Sequence, residues 1–332
     1  MNKSFFCGIM AGISLAAMAF IPKHSPGYYE AQKPESRNAW YNGAKAKLIY
    51  HIVDDDGNPL ANQPIGYRWQ NDFPRKTWGG YALTDTNGTV VLQDRVGSLM
   101  TVGVEGKGYY GSGDEVVFYF REGVSPLVKD GKWQPYGEDR TLVVKRKKNP
   151  VFGSTLVHTV TDVPMTNIWL GLDMETYRWV RPYGDGSHPD VLLRFNSEPA
   201  NKYEVNWATM EVSFTNNPCA GFYVLTKDNF SEMKSVYHAD TNMAFRTGIT
   251  YSIGQLPKDD NLLDDNHYMV FRTRTKIDEK GRLVSAHYGK IYGRWGIWDG
   301  MRARMMFFNT TPNDTNLEDM TTFKESESRE VR

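Results

Sequence analysis

The sequence predicts an all-β fold in two consecutive domains, an immunoglobulin-like β-sandwich followed by a second, larger β-sandwich-type domain. From Ala44 onward, short runs of β-branched and aromatic residues recur, and turn residues separate them at intervals of roughly 8–12 positions. About seven such runs precede residue 148, which is the number of strands that an immunoglobulin-like sandwich uses. The two regions do not resemble each other, and no internal repeat suggests a solenoid or propeller.

The first domain is assigned to residues 44–148. Its first strand ends at a turn that contains Gly57 and Pro59, because glycine allows a positive φ and proline cannot donate to a ladder. Asn87-Gly88 predicts a hairpin turn before the fourth strand. The seven predicted strands are 46–53, 63–70, 77–83, 90–92, 100–105, 116–121 and 141–147.

The second domain is assigned to residues 151–320 and is again rich in strand patterns. Alternation over 267–277, a turn at 278–281 and a second run over 283–292 predict a hairpin with one solvated face. A short helix is expected over 227–237. Further strands are predicted over 205–214 and 221–225.

A basic run, Lys145–Lys148, directly precedes Asn149-Pro150 and marks the expected domain boundary. It has two interpretations, a patch for acidic glycans or the solvated end of the last strand.

The N-terminus has the pattern of a secretory signal peptide. A charged start is followed by the apolar stretch Ser4–Phe20, and Ala17-Met18-Ala19 predicts cleavage after residue 19. The alternative is a retained anchor, although the stretch is shorter than the ~20 residues that a spanning helix needs. We therefore expect an exported, periplasmic or extracellular protein with no stable membrane insertion after cleavage. Residues 20–43 are interpreted as an exposed leader and 321–332 as a disordered tail.

Charge and cysteine content narrow the functional classes. The 332 residues contain 39 basic and 39 acidic side chains, so the chain lacks the positive field that non-specific nucleic-acid binding needs. Cys219 is the one cysteine outside the signal segment, which excludes an internal disulfide in the mature chain. It has no neighbouring base in the sequence and is interpreted as a buried structural thiol, with a nucleophile or an intermolecular disulfide as the alternatives.

Three motifs of the first domain combine turn and core residues. They are Val53-Asp54-x-x-Gly57-x-Pro59-Leu60, Thr84-Asp85-x-x-Gly88-x-Val90-x-Leu92 and Gly106-Lys107-Gly108-Tyr109. These motifs resemble those of the carboxypeptidase regulatory-like domains, a transthyretin-like and immunoglobulin-like sandwich group of exported bacterial proteins. The resemblance covers about a third of the chain and implies an accessory module, structural or adhesive, without catalytic residues of its own.

The second domain contains three longer motifs. They are Trp179-Val180-Arg181-Pro182-Tyr183-Gly184-Asp185-Gly186, Tyr288-Gly289-Lys290-Ile291-Tyr292-Gly293 and Thr311-Pro312-Asn313-Asp314-Thr315-Asn316-Leu317-Glu318. These motifs resemble the C-terminal half of a group of uncharacterised secreted bacterial proteins, in which a regulatory-like sandwich precedes such a region. The resemblance implies common descent over most of the mature chain and brings no activity with it.

The segment 178–190 is the strongest candidate for a binding site. It places aromatic rings on an irregular backbone beside charged groups, which is the combination that stacks and orients a sugar. The alternative is a structural corner, because tryptophan and tyrosine also fill sandwich cores. The predicted ligand-binding residues are Trp179, Arg181, Tyr183, Asp185 and His188, and the predicted partner is a glycan or glycoprotein.

A secreted hydrolase, either a glycosidase or a peptidase, is the second functional hypothesis. Asp173 and Glu175 lie two positions apart beside the aromatic segment, and Asp185 and Asp190 could take part in acid–base chemistry. However, the sequence contains no nucleophile elbow, zinc-helix motif or phosphate-binding loop. No catalytic residue is therefore assigned.

Metal ligands are the weakest class of candidate. His188-Pro189-Asp190 lacks a second histidine at zinc spacing, so no metal site is assigned. Three acidic clusters, 54–56, 259–266 and 313–319, leave calcium open as a cofactor, and the loop 259–266 is the best of them. Solvated turns are the alternative for each, and no other cofactor is expected.

Overall fold

The structure, a computed structural model, describes residues 26–199, 205–254, 266–293, 296–297 and 301–319. The expected signal peptide, the C-terminal tail and the candidate calcium loop up to residue 265 lie outside the described residues. The all-β prediction is confirmed, with 51 % strand and 6 % helix. Within the described ranges, no helix is both long and apolar enough to cross a membrane.

The chain forms two compact units. The first runs to Lys148 and also includes Phe230–Met233, whereas the second takes the remaining residues from Asn149 onward. Each unit has its own buried core.

Among its described residues, the first unit contains two helices and nine strands. The helices are α1 (Pro26–Gln32) and α2 (Pro34–Asn42). The strands are β1 (Ala44–Asp54), β2 (Pro64–Asp72), β3 (Arg75–Leu83), β4 (Thr89–Val96), β5 (Leu99–Val104), β6 (Ser112–Val117), β7 (Val128–Lys129), β8 (Lys132–Trp133) and β9 (Glu138–Val144).

Two sheets enclose the core of this unit. Sheet 1 has the order β4-β1-β8-β7, with β9 also paired to β1, and sheet 2 has the order β3-β2-β5-β6. Alternation along β1 points every second side chain inward, including Leu48, Tyr50 and Ile52. Trp69 of β2 and Trp133 of β8 are fully buried in the same core.

The segment 20–43 was expected to be an exposed leader, and that prediction is wrong for its described part. Pro34 begins α2 at a position where its missing N–H costs nothing. Ala31 and Ala39 are buried in the core of the unit, and the Tyr119 hydroxyl donates a hydrogen bond to the Ala31 carbonyl at 3.0 Å. The helices therefore cover apolar surface.

The turn at Asn87-Gly88 is present, but it is not a hairpin turn as predicted. Gly88 has φ +72°, and its amide donates to the Asp85 carbonyl at 3.1 Å. However, the strand before the turn, β3, pairs with β2, and the strand after it, β4, pairs with β1. The turn therefore carries the chain from sheet 2 to sheet 1.

The basic run and the first acidic cluster neutralise each other within the first unit. Arg146 forms ion pairs with Asp54 and Asp56, and Lys148 contacts Asp55 at 2.5 Å. Burial opposes ionisation of Asp54, but hydrogen bonds from Asn58 and Arg146 outweigh it and hold its pKa below the usual value. Neither the glycan patch nor the solvated strand end, the two interpretations of the basic run, accounts for these ion pairs. The carboxylates of residues 54–56, which were considered as calcium ligands, are instead paired with Arg146 and Lys148.

The second unit contains eleven strands within the described residues. They are β10 (Ser154–Thr161), β11 (Trp169–Asp173), β12 (Arg178–Trp179), β13 (Val191–Pro199), β14 (Val205–Ser213), β15 (Gly221–Thr226), β16 (Gly248–Gly254), β17 (His267–Ile277), β18 (Leu283–Tyr292), β19 (Gly296–Ile297) and β20 (Met301–Phe308).

These strands form two further sheets around an apolar core. Sheet 3 has the order β10-β20-β18-β17-β15, with β19 paired to β20, and sheet 4 has the order β12-β11-β13-β14-β16. The predicted hairpin of β17 and β18 is confirmed by their antiparallel register. Large core side chains from both sheets include Phe195, Phe222 and Phe308.

The helix predicted over 227–237 does not form. Gly113 donates its amide to the Phe230 carbonyl at 2.7 Å, and Ser231 forms a bridge with Ser112. Extended pairing with β6 therefore overrides the local helical preference. The prediction for Cys219 is also wrong, because its side chain is exposed and its backbone has φ +57°.

Candidate functional site

The candidate loop, residues 180–189, joins β12 to β13 at the edge of sheet 4. Arg178 and Trp179 pair with Asp173 and Leu172 of β11, which fixes the start of the loop. The Gly186 amide then donates to the Trp179 carbonyl at 2.9 Å, so the loop folds back on the residue that precedes it. A Cβ at Gly186 would lie 2.6 Å from the Arg178 carbonyl oxygen, which explains why glycine is required there.

An arginine on sheet 3 holds the base of this loop. Arg274 contacts both carboxylate oxygens of Asp190 at 2.9 and 3.0 Å and the Asp173 carboxylate at 3.1 Å. A further contact joins its Nη1 to Glu175 at 2.5 Å. Its guanidinium carbon also lies 4.6 Å from the ring centroid of Phe308. We refer to Arg274, Asp173, Glu175 and Asp190 as the Arg274 cluster.

A β-bulge aims Arg274 into this cluster. The register between β17 and β18 shifts between Thr273 and Lys276, and Arg274 has φ +48°, a rare value for a residue with a side chain. In a regular strand, period-two alternation would place Arg274 on the solvated face of the hairpin, together with Arg272 and Lys276. The bulge instead leaves only 15 % of its side chain exposed.

Backbone amides complete the coordination of the buried carboxylates. Asp173 accepts hydrogen bonds from the amides of Glu175 and Ser187 at 3.0 and 2.8 Å, and Asp190 accepts one from Met174 at 2.9 Å. Burial raises the pKa of Asp190, and the hydrogen bonds and charge of Arg274 only partly offset this effect. The cluster therefore links the C-terminal end of the candidate loop to sheet 3.

In this geometry, Asp173 and Asp190, two of the carboxylates considered for hydrolysis, stabilise the fold around the loop. Asp173 and Asp190 are almost fully buried, and Arg274 and backbone amides take up their oxygens. A general acid or base must instead reach a substrate proton through an open lone pair. Asp185, the fourth carboxylate considered, does not join the cluster and forms an exposed ion pair with Arg178.

Trp179, predicted to stack on a ligand, is instead part of the core. Its side chain is 5 % exposed, its indole N–H donates to the Asp162 carbonyl at 2.6 Å, and its ring packs edge-on against Phe195. Because strand β12 turns alternate residues inward, Trp179 faces the core while Arg178 faces solvent. The predicted ligand contact is therefore wrong for Trp179, which has the structural role that was the alternative.

The other four predicted site residues lie on the exposed part of the loop. Arg181, Tyr183, Asp185 and His188 are all exposed, and Tyr183 retains 40 % of its surface. The His188 backbone amide donates to the Asp173 carboxylate at 3.2 Å, so the main chain of His188 contacts the Arg274 cluster. Within the described residues, no group of three or more histidine, cysteine or acidic side chains has metal-binding geometry.

Trp169 is an aromatic candidate that the sequence analysis did not select. It lies on the outer face of sheet 4, 43 % exposed, in a cross-strand row that continues through Arg194, Glu211 and Thr250. The Arg194 guanidinium carbon lies 4.8 Å from the Trp169 ring centroid, and Glu211 holds the guanidinium through contacts of 2.9 and 2.6 Å. Period-two alternation with the buried Leu170 was the available signal.

Gly171 brings the loop next to this row. A Cβ at Gly171 would lie 2.6 Å from Val180 Cγ2 and 2.9 Å from Pro189 Cβ, so both ends of the loop pack on the outer face of β11. Trp169 lies two residues away on the same face, about 7 Å along the strand. We call Trp169, Arg194, Glu211 and the exposed loop the sheet 4 platform.

Neither a protein-family profile nor a curated protein matches the sequence. Among solved structures, the chain is similar to 3-chlorocatechol 1,2-dioxygenase from Rhodococcus opacus 1CP, with 14 % identity over 31 % of this chain and a TM-score of 0.24. The chain spans 60 % of the length of that dioxygenase.

Two other solved structures align over more of the chain. The shaft pilin SpaA from Lactobacillus rhamnosus GG has 8 % identity, a TM-score of 0.22, and coverage of 83 % of this chain and 95 % of the pilin. A Bacteroides uniformis protein, provisionally described as carbohydrate-binding, has 12 % identity, a TM-score of 0.18, and coverage of 80 % and 99 %. At these scores no shared fold is defined, and the all-β class rests on the strands of this chain.

Proposed function

We propose that this protein is an exported, non-catalytic binding or adhesion protein that recognises a glycan or glycoprotein through the sheet 4 platform. The observation that carries the proposal is the exposed Trp169 ring, which Arg194 and Glu211 hold in one orientation beside the loop. An ordered indole loses little conformational entropy when a sugar stacks on it.

The loop supplies the polar groups that a sugar needs. Arg181 can donate hydrogen bonds to hydroxyls, whereas Asp185 accepts them, and Tyr183 adds a second aromatic face. The Arg274 cluster prepares the loop for binding by anchoring its C-terminal end, and the pairing of β12 with β11 holds the other end. In this proposal, the carboxylates considered for catalysis support the binding surface.

The first unit has a separate part in the proposal. We propose that it is the accessory sandwich implied by the resemblance to carboxypeptidase regulatory-like domains, with no catalytic residues. Its seven principal strands, β1 to β6 and β9, agree in number with the strands predicted from the sequence.

The test is retention of the purified chain on an array of host and microbial glycans, with detection of released reducing ends. Trp169→Ala and Tyr183→Ala should each weaken retention at least tenfold and leave the melting temperature unchanged, because both side chains are exposed. Phe152→Ala is the matched control, since Phe152 is an exposed aromatic of the same unit outside the platform.

Two outcomes would overturn the proposal. Retention that is equal in all variants would show that the platform is not the contact surface. Release of sugar products by the wild-type chain would favour the hydrolase alternative.

A further inference from the structure

An exposed group of aromatic rings lies on the first unit, where α2 meets the tip of the β2–β3 hairpin. The ring of Phe73, at the hairpin tip, lies 5.1 Å from the ring of Trp40 and 5.3 Å from that of Tyr41, and the two α2 rings lie 5.1 Å apart. Tyr41 and Phe73 are each 48 % exposed. Three large rings in mutual contact therefore form one continuous apolar area at the surface.

A fourth exposed ring extends this area. Trp40 stacks on Tyr119 with a centroid distance of 4.3 Å, and Tyr119 contacts Phe120 at 4.5 Å. Tyr119 is buried, whereas Phe120 is 43 % exposed. We call Trp40, Tyr41, Phe73 and Phe120 the aromatic patch. An exposed apolar patch is typical of a surface that binds another protein or a membrane.

The hydrogen-bonding groups beneath the rings are already paired. The indole N–H of Trp40 donates to one carboxylate oxygen of Asp72 at 3.3 Å, and the side-chain amide of Gln70 donates to the other at 3.0 Å. The Tyr119 hydroxyl is bonded to the Ala31 carbonyl. A sugar needs polar partners around the ring on which it stacks, so this arrangement favours an interfacial apolar partner over a glycan.

Two cations follow the hairpin tip. Arg75 and Lys76 come directly after Phe73-Pro74, and both are exposed. Among the residues that the structure describes, neither has an ion-pair partner. Tryptophan and tyrosine rings favour the headgroup level of a bilayer, and anionic lipids attract lysine and arginine. Exposed aromatic rings beside two unpaired cations therefore match the chemistry of an anionic lipid surface.

The aromatic patch also adjoins the part of the chain that is predicted to enter a membrane. Helix α1 lies beside Tyr119, because its Ala31 carbonyl accepts the Tyr119 hydroxyl. The apolar stretch Ser4–Phe20 ends six residues before Pro26, where α1 begins. A link of six residues spans at most about 20 Å. While that stretch lies in a membrane during export, the link holds α1 close to the surface of the same membrane.

We infer that the aromatic patch, together with Arg75 and Lys76, docks on an anionic lipid surface. The rings enter the headgroup region, and the two cations contact lipid phosphates. The contact is peripheral and does not span the bilayer. This inference goes beyond the proposed function and does not rest on the sheet 4 platform, which belongs to the other unit.

The test uses the mature chain, residues 20–332, so that almost all of the apolar N-terminal stretch is absent. Co-sedimentation with vesicles of phosphatidylcholine, with or without phosphatidylglycerol, measures the partition coefficient. We expect binding to be roughly tenfold tighter when phosphatidylglycerol is present, because two cations face the lipid. Failure to bind vesicles that contain phosphatidylglycerol would overturn the inference.

Two variants test the two parts of the surface. Phe73→Ala should weaken binding to vesicles that contain phosphatidylglycerol by roughly tenfold, because less apolar area enters the lipid. Arg75→Gln/Lys76→Gln should remove the gain that phosphatidylglycerol provides. Tyr81→Ala is the matched control and should bind as the unaltered chain does, since Tyr81 is an exposed aromatic near the other end of β3.

The charge variant also guards against loss of structure. Phe73 packs on Trp40, so the melting temperature of Phe73→Ala is measured beside its binding. Arg75 and Lys76 are exposed, and their substitution tests the surface without a change in the core.

Three results would overturn the inference. One is equal vesicle binding by Phe73→Ala and Tyr81→Ala, and another is unchanged binding by Arg75→Gln/Lys76→Gln. The third is a dimer that Phe73→Ala dissociates in the absence of vesicle binding, which would assign the patch to a second copy of the chain. Trp169→Ala should leave vesicle binding unchanged, so failure of the proposed glycan site is distinguishable from failure of the lipid contact.

Discussion

The direction of the Trp179 side chain decides whether this residue can contact a ligand. Its sequence neighbours place it in an aromatic, glycine-rich segment typical of ligand loops. Its strand, however, points it into the core, where its indole N–H is satisfied by the Asp162 carbonyl. Tyr183, four residues later, remains at the surface.

The first prediction concerns this pair of residues. Trp179→Ala should lower the free energy of unfolding by about 3–5 kcal/mol, because it removes a large buried ring and leaves a cavity. Tyr183→Ala should change it by less than about 0.5 kcal/mol. Urea denaturation of both variants provides the measurement, and equal stabilities would contradict the assignment of Trp179 to the core.

Lys290 is a buried cation in the second unit. It is 3 % exposed, and its Nζ donates to the Ser235 hydroxyl at 3.1 Å. Burial lowers its pKa to about 8, although the charges of Asp319 and Glu318 favour the protonated form. Tyr292 and Phe307 provide aromatic faces 5.1 and 5.7 Å from Nζ.

The second prediction is the pH dependence that follows from this pKa. Between the folded value of about 8 and the unfolded value of 10.5, the unfolded chain binds more protons, so stability rises with pH. Lys290 should contribute a gain of roughly 2 kcal/mol between about pH 8 and pH 10. Conversely, the free energy of unfolding decreases by the same amount when the pH is lowered from about 10 to about 8.

Lys290→Met supplies the control for this prediction. In the variant, the rise in unfolding free energy between about pH 8 and pH 10 should be smaller by that amount. Denaturation curves of both proteins across the interval measure the difference. Parallel pH profiles would show that Lys290 is not desolvated in the folded protein.

At the scale of elements, the bulge in β17 determines where the candidate loop lies. A regular strand would keep Arg274 on the solvated face together with Arg272 and Lys276. The register shift and positive φ turn its guanidinium toward Asp173 and Asp190 instead. Three ion pairs hold an unfavourable backbone conformation in place.

The third prediction tests this arrangement. Arg274→Ala should lower the free energy of unfolding by about 3–5 kcal/mol, because it leaves buried carboxylates without a cation. In Arg274→Met/Asp190→Asn, part of the loss should be recovered, since one buried charge is removed. Urea denaturation compares the two variants, and an unchanged midpoint for Arg274→Ala would contradict the structural role.

At the scale of the whole molecule, the chain returns a short segment to its first unit. Residues Phe230–Met233 follow β15 of the second unit in sequence but belong to the first. The segment pairs with the free edge of β6, and the Glu232 side chain accepts the Gly111 amide at 3.0 Å. Covering an edge strand in this way removes a site for unwanted pairing.

The fourth prediction concerns the contact between the Phe230–Met233 segment and the edge of β6. Glu232→Ala should speed hydrogen exchange across residues 111–117, with a protection loss of about 1 kcal/mol, because one acceptor at the edge is lost. Mass spectrometry of peptides from this stretch measures the change. Phe230→Ala is the control. The Gly113 amide donates to the backbone carbonyl of Phe230, so this hydrogen bond does not depend on the side chain that the substitution removes. Equal exchange rates in the two variants would contradict the role of Glu232.

Local patterns predicted most of the strands, because period-two alternation and turn residues act within a few positions. The hairpin 267–277 and 283–292 has the predicted bounds. The run at 116–121 is shifted, since β6 begins at Ser112 and ends at Val117. Pro34, which begins α2, was an available helix signal that the composition of the leader obscured.

The sequence by itself determined the all-β class, the alternation of core and solvent positions, and the residues of the candidate loop. The tertiary structure decided which loop residues remain exposed, because the direction of β12 buries Trp179 and the Arg274 cluster anchors the backbone. It also decided which distant residues share a row, such as Trp169 with Arg194, or Gly66 with Gly103. Strand register depends on packing between segments far apart in sequence, and no local pattern encodes it.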